Sequence, residues 1–156
     1  MITILSILAI ACTKGGDQES ATGAVYTVTS TASAKQLVPA IDTTSTGAIT
    51  GLYDDQLNDL TVTITWTDLW RDTKKDTITA IAFYGPATAT ANGTLVRSLP
   101  FTNPNKAGTI NLGLAGGTGF SAQEKSDFLA GAYYFTINTK RYPLGIIRGQ
   151  LAVTQK

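Results

Sequence analysis

The sequence predicts an all-β domain: an antiparallel, Greek-key-like β-sandwich of about eight strands with one short crossover helix. Three observations carry this expectation. Residues 60–68, LTVTITWTD, alternate with a period of two, placing Leu60, Val62, Ile64 and Trp66 on one face and Thr or Asp on the other. That is the pattern of a half-buried antiparallel strand. Shorter runs of the same kind recur along the chain, separated by Gly, Pro, Asn and Asp at positions suited to turns. Thr, Ala and Gly are abundant and only 15% of residues are charged, a balance that suits β-rich extracytoplasmic modules better than cytosolic helical enzymes.

Taken in order, residues 24–34, AVYTVTSTASA, read as the first strand. Residues 35–46 hold Pro39 and a cluster of Asp and Thr, and read as a loop. Residues 47–53, GAITGLY, form a short strand, 54–59 a turn, and 60–68 the clearest strand. Residues 70–76, WRDTKKD, are a charged connection to a strand at 77–84, TITAIAFY, which ends at Gly85-Pro86. Asn92-Gly93 between ATATA and TLVRSL signals a type I′ hairpin. Residues 100–108, with two prolines, read as a loop, and 109–114 as a short strand. Ser121 and Glu124 make a capping box for a short helix with Phe128 and Leu129 on its apolar edge, ended by Gly131. Residues 131–151, GAYYFTINTKRYPLGIIRGQL, alternate on both sides of a turn at Tyr142-Pro143-Leu144-Gly145, the pattern of a β-hairpin or tight strand pair.

The bulk numbers exclude several functions. A chain of 156 residues fits one domain whose core needs no disulfide. Net charge is +1, without a basic patch interleaved with aromatics, so nucleic acid is not an expected partner. Histidine is absent, which removes the commonest general base and transition-metal ligand. No Gly-rich phosphate loop opens a helix, and no internal repeat is present. No catalytic residue, metal or cofactor is assigned.

Residues 2–11, ITILSILAIA, are apolar but shorter than the roughly 20 residues needed to span a bilayer. They suit the core of a signal peptide. Leu8-Ala9-Ile10-Ala11-Cys12 resembles the lipobox of bacterial lipoproteins, in which the Cys becomes the lipidated first residue of the mature chain. No Lys or Arg precedes the run, and Ala9 stands where that family prefers Leu. The other reading is a buried N-terminal strand with an inert core Cys. The lipoprotein reading divides the chain into a signal peptide (1–11), lipidated Cys12 with a flexible tether (12–23), and a folded domain (24–156). It places the protein in a bacterial cell envelope, on the outer membrane or cell surface, held in the membrane by lipid on Cys12.

Asp54, Asp55 and Asp59, with Asn58, gather oxygen ligands of the kind calcium takes, without EF-hand spacing; a solvated hairpin turn is the other reading. Tyr84, Tyr133 and Tyr142 are possible ligand contacts, able to stack on sugars or grip a peptide, or else core and rim residues.

Two patches resemble the CHRD (chordin) domain family. In the first, TAIAFYGPA at 79–87, the chain keeps Gly85, Pro86 and Ala87, while Ala82 and Tyr84 stand where relatives carry two histidines. In the second it keeps Tyr134, Thr139, Pro143, Gly145, Ile147, Arg148, Gly149 and Gln150, with Asn138 at a His position and Ile146 at a Glu position. Ala82 and Tyr84 share a strand face, so the relatives' histidines would point together, with the other two positions as possible neighbours, as a polar network or a metal site. All four are replaced here, which argues against a metal at this location. Arg148 either meets an anionic partner or is structural, its fork bonding backbone carbonyls or a carboxylate near the hairpin. The resemblance implies an extracytoplasmic, non-enzymatic binding or structural module. Another envelope protein or a glycan is a possible partner, and a carbohydrate- or calcium-dependent adhesion module is the alternative. An enzyme of unknown class stands third.

Overall fold

The computed structural model describes residues 23–70, 76–113 and 119–156. The expected leader, Cys12 and nearly all of the tether lie outside the described residues, as do 71–75 of the charged connection and 114–118 of the Gly-rich segment. The chain runs β1 (Val25–Ser33), β2 (Thr46–Asp54), β3 (Asp59–Thr67), β4 (Ile78–Gly85), β5 (Thr94–Asn103), β6 (Gly108–Gly113), α1 (Ala122–Leu129), β7 (Tyr134–Thr139), β8 (Ile147–Gln150) and β9 (Ala152–Gln155).

The strands form one antiparallel sheet in the order β5-β4-β7-β8-β1-β2-β3-β6, with β9 also on β1. The sheet curls so that its two halves share one core. Ile49, Tyr53, Val62, Ile64 and Trp66 from one half pack in a single cluster with Ile81, Phe83, Phe135, Ile137 and Ile147 from the other. Trp66 on β3 meets Phe101 on β5 edge-on, with ring centroids 5.8 Å apart. This is the all-β, sandwich-like architecture expected, and α1 crosses over between β6 and β7. β3 shows why the sequence pattern was so clear: Leu60, Val62, Ile64 and Trp66 are all buried, and the threonines between them face outward.

The helix is built at both ends as its sequence requires. Ser121 Oγ accepts from the Glu124 N–H, and the Glu124 carboxylate accepts from the Ser121 N–H (2.9 Å). Gly131, at φ +71°, ends it. The Gly131 N–H donates to Phe128 O and the Ala132 N–H to Asp127 O, the paired bonds of a Schellman motif. Phe128 is carried into a cluster with Tyr53, Phe120 and Tyr133, at centroid distances of 5.0 to 6.1 Å.

Two local expectations are corrected, and one strand is added. Residues 87–91 are not a strand, and neither Asn92 nor Gly93 has the positive φ that a type I′ turn needs. Instead, residues 86–93 form a loop bonded to the rest of the protein: the Ala87 N–H donates to Ala132 O (2.8 Å) and Asn92 Nδ2 to Val38 O (2.8 Å). Pro100 lies inside β5, not in a loop. It is tolerated because β5 is an edge strand. A ninth strand, β9, follows β8 after a break at Leu151, whose N–H turns to Tyr133 O (2.8 Å) while the chain passes from β7 to β1.

Candidate functional site

The two sequence patches, far apart along the chain, meet on adjacent strands. Ala80 lies opposite Asn138, Ala82 opposite Thr136 and Tyr84 opposite Tyr134; on the far side of β7, Thr136 lies opposite Arg148 and Tyr134 opposite Gln150. Alternation sends Ile81, Phe83, Phe135, Ile137 and Ile147 to the core. It sends Ala82, Tyr84, Tyr134, Thr136, Asn138 and Arg148 to the other face. That face is largely covered: all six residues of β7 are buried and Tyr84 on β4 is half-buried. The segment after β1 and the loops that follow β4 and β7 cover it. Between this cover and the sheet lies a cavity of about 450 Å³.

Arg148 forms part of its floor and is 1% exposed. Its guanidinium carbon sits 3.6 Å from the centroid of the Tyr134 ring, a cation–π contact strengthened by desolvation. Tyr134 in turn stacks on Tyr84, with centroids 5.2 Å apart and planes within 9°. Arg148 Nη2 donates to Thr88 O (2.8 Å), and longer contacts of 3.4 Å run from Nη1 to Asn92 Oδ1 and from Nη2 to Gln150 Oε1. Among the described residues no carboxylate pairs with it. Burial pushes its pKa down from the usual arginine value, and the neighbouring Tyr134 opposes that shift.

The rest of the motif holds this arrangement in place. Gln150 Nε2 donates to Ala87 O (3.0 Å) and Gly131 O (2.8 Å), tying the 86–93 loop and the end of α1 to the sheet. The Gly93 N–H donates to Tyr134 Oη (3.2 Å), and Thr94 Oγ1 donates to Gly85 O (2.8 Å). Gly85-Pro86 is a cis peptide. Gly145 takes φ +123° in the turn before β8, and a Cβ there would come within 2.9 Å of Thr136 Cβ. The Tyr142 N–H donates to Thr139 Oγ1 (3.1 Å), bracing the same turn against the end of β7, and Pro143 next to Tyr142 lines the cavity. A Cβ on Gly149 would come within 2.7 Å of Phe135 Cε1, so β8 can approach the core only with glycine there.

The cavity walls are apolar: Leu37, Val38, Pro39 and Ile41 on one side, Tyr142, Pro143 and Leu144 on another. Leu144 is 80% exposed at the rim. Sequence reading missed the first of these walls. Its signal was an apolar cluster, Leu37-Val38-Pro39 and Ile41, inside an otherwise polar loop. Asn92 and Thr136 were also missed as site residues. Thr136 Oγ1 donates to Asn138 Oδ1 (2.6 Å), which settles two buried polar groups on each other.

The other candidates fall in different places. Of the three tyrosines, Tyr84 and Tyr142 line the cavity. Tyr133 is buried in the aromatic cluster under α1. Burial, with Glu124 nearby, pushes its pKa up to about 12, and Tyr53 is raised to about 12 by burial and then by Asp55. Ala82, Tyr84 and Asn138 share the outer face as expected, whereas Ile146 packs into the core cluster. The Asp54–Asn58 turn is occupied internally. Asp54 Oδ1 accepts from the Gln56 and Leu57 N–H groups, Asp55 pairs with Lys125, and Asn58 bonds Tyr53 Oη and the Phe120 backbone. Among the described residues Asp59 Oδ1 has no hydrogen-bond partner. Among the described residues no group of three or more His, Cys, Asp or Glu side chains is placed to hold a metal.

No curated protein and no solved structure matches the chain. The model of the CHRD domain family matches residues 28–151, from the first strand to the break after β8. Both sequence patches fall inside this span, as do the cavity floor and all its walls, and the chain belongs to the CHRD domain family, a family of non-catalytic binding or structural modules.

Proposed function

We propose that this protein is a lipid-anchored lipoprotein of the bacterial cell envelope whose CHRD domain is a non-catalytic binding module, with its ligand site in the cavity over β4, β7 and β8. The observation that carries this reading is the cavity itself: about 450 Å³, apolar walls and a few convergent polar groups, the make-up of a small-molecule site. The apolar run and Cys12 at the N-terminus support the anchor, and the Gly-rich, polar stretch after Cys12 supports a tether.

The test is thermal unfolding of the full chain against small organic acids, glycans of the envelope and Ca²⁺. A ligand present at a hundred times its Kd adds about 2.7 kcal/mol, which moves the Tm by several degrees in a domain of this size. The expected result is a shift with a small organic molecule that is lost when Leu144→Asp places a charge at the cavity rim. A shift with Ca²⁺ alone would move the site to the 54–59 turn.

A further inference from the structure

We infer that the cavity takes a carboxylate attached to an apolar body, with the carboxylate on Arg148 and the body against the wall formed by residues 37–41. The inference rests on the cavity being the ligand site and adds the chemical class of the ligand.

Four observations lead there. First, the charged group at the cavity floor is a cation, the buried Arg148. Among the described residues no Asp or Glu lines it. Second, Arg148 is incompletely satisfied. A guanidinium has five N–H donors, and the partners of Arg148 are one good acceptor, Thr88 O at 2.8 Å, and two neutral side-chain oxygens at 3.4 Å. Both longer contacts exceed the normal range for an N–H···O bond. A desolvated cation without a counter-charge is costly unless an anion reaches it.

Third, the contact on Nη1 is long and to a neutral group, the oxygen of an amide whose nitrogen is held by Val38 O (2.8 Å). Asn92 is exposed, at the end of the 86–93 loop, and its Oδ1 stands where an anionic oxygen would give a shorter, charge-assisted bond. With Tyr134 covering a face of the guanidinium, an incoming acceptor meets its edge, the geometry that suits a planar carboxylate. Fourth, the wall at residues 37–41 is aliphatic, and Leu144 stands exposed at the entrance. These residues give an acid's hydrocarbon part something to bury against and offer a free inorganic anion nothing.

The test uses the full chain labelled with ¹⁵N, observed by NMR and titrated separately with octanoate, octanamide, 1-octanol and acetate. Octanoate is expected to shift the Arg148 Nε–H and Asn92 side-chain amide resonances saturably. Its apparent affinity should be about tenfold or more above that of octanamide, octanol or acetate. In Arg148→Gln the preference for octanoate over octanamide should vanish while octanamide binding persists; if that variant does not fold, the wild-type titrations decide alone. Equal affinities for octanoate, octanamide and octanol would overturn the inference and leave a cavity that binds apolar molecules. Acetate binding as tightly as octanoate would overturn it by removing the apolar body. No saturable shift at the cavity with any of the four would overturn both the inference and the placement of the site.

Discussion

Arg148 and Gln150 show how a pair of side chains two apart on one strand can organise a face. Gln150 fastens the 86–93 loop by its amide nitrogen, and Arg148 fastens it again through Thr88 O. The loop is thereby held above the sheet, and the cavity opens beside it. The core tyrosines act differently, through burial. Tyr133 is 2% exposed and its phenol is pushed up to about 12 from an ordinary value of 10.0. The unfolded chain gives up this proton near pH 10, while the folded protein keeps it until about pH 12. Stability is therefore intact below pH 10 and falls as pH rises through about 12. Urea midpoints measured across that range should decline, and Tyr133→Phe should decline less steeply. Equal slopes for the two proteins would assign the alkaline loss elsewhere, with Tyr53 the next candidate.

At the scale of elements, α1 depends on its ends, because eight residues are too few for a stable isolated helix. Glu124 is held below the usual carboxylate range chiefly by the Ser121 backbone N–H, so the capping box is present above that range and lost as pH falls through the lowered value. Ser121→Ala should cost about 1 kcal/mol, read as a lower urea midpoint with an unchanged slope. This helix and β3 were legible in the sequence because local rules decide them: a box of two residues, and a strand with one buried face. β7 was harder to interpret. In YFTINT, Thr136 and Asn138 look like solvent-facing residues, yet both are buried under loops from elsewhere in the chain. Asn92-Gly93 misled for the same reason. The pair carries local turn chemistry, but the side-chain bond of Asn92 to Val38 and the backbone bond of Gly93 to Tyr134 decide its conformation.

At the scale of the whole molecule, the curled sheet divides the work. One face of each half builds the core, and the outer face of β4, β7 and β8 carries a second, partly polar layer. The motif residues were legible in the sequence as a set, but the cavity was not. Its walls come from segments after β1, β4 and β7, and only the topology β4-β7-β8 brings them together. The anchor adds a prediction of its own. Expressed in a Gram-negative host, the protein should incorporate labelled fatty acid and partition into membranes, and Cys12→Ala should do neither; identical behaviour of the two would remove the anchor from the account. The most direct test of the central claim is a crystal structure of the full chain grown with octanoate. The expected result is electron density in the cavity over β4, β7 and β8, with the carboxylate within hydrogen-bonding distance of Arg148 and the chain along Val38 and Pro39. An empty cavity at saturating octanoate, or octanoate bound only at another surface, would contradict it.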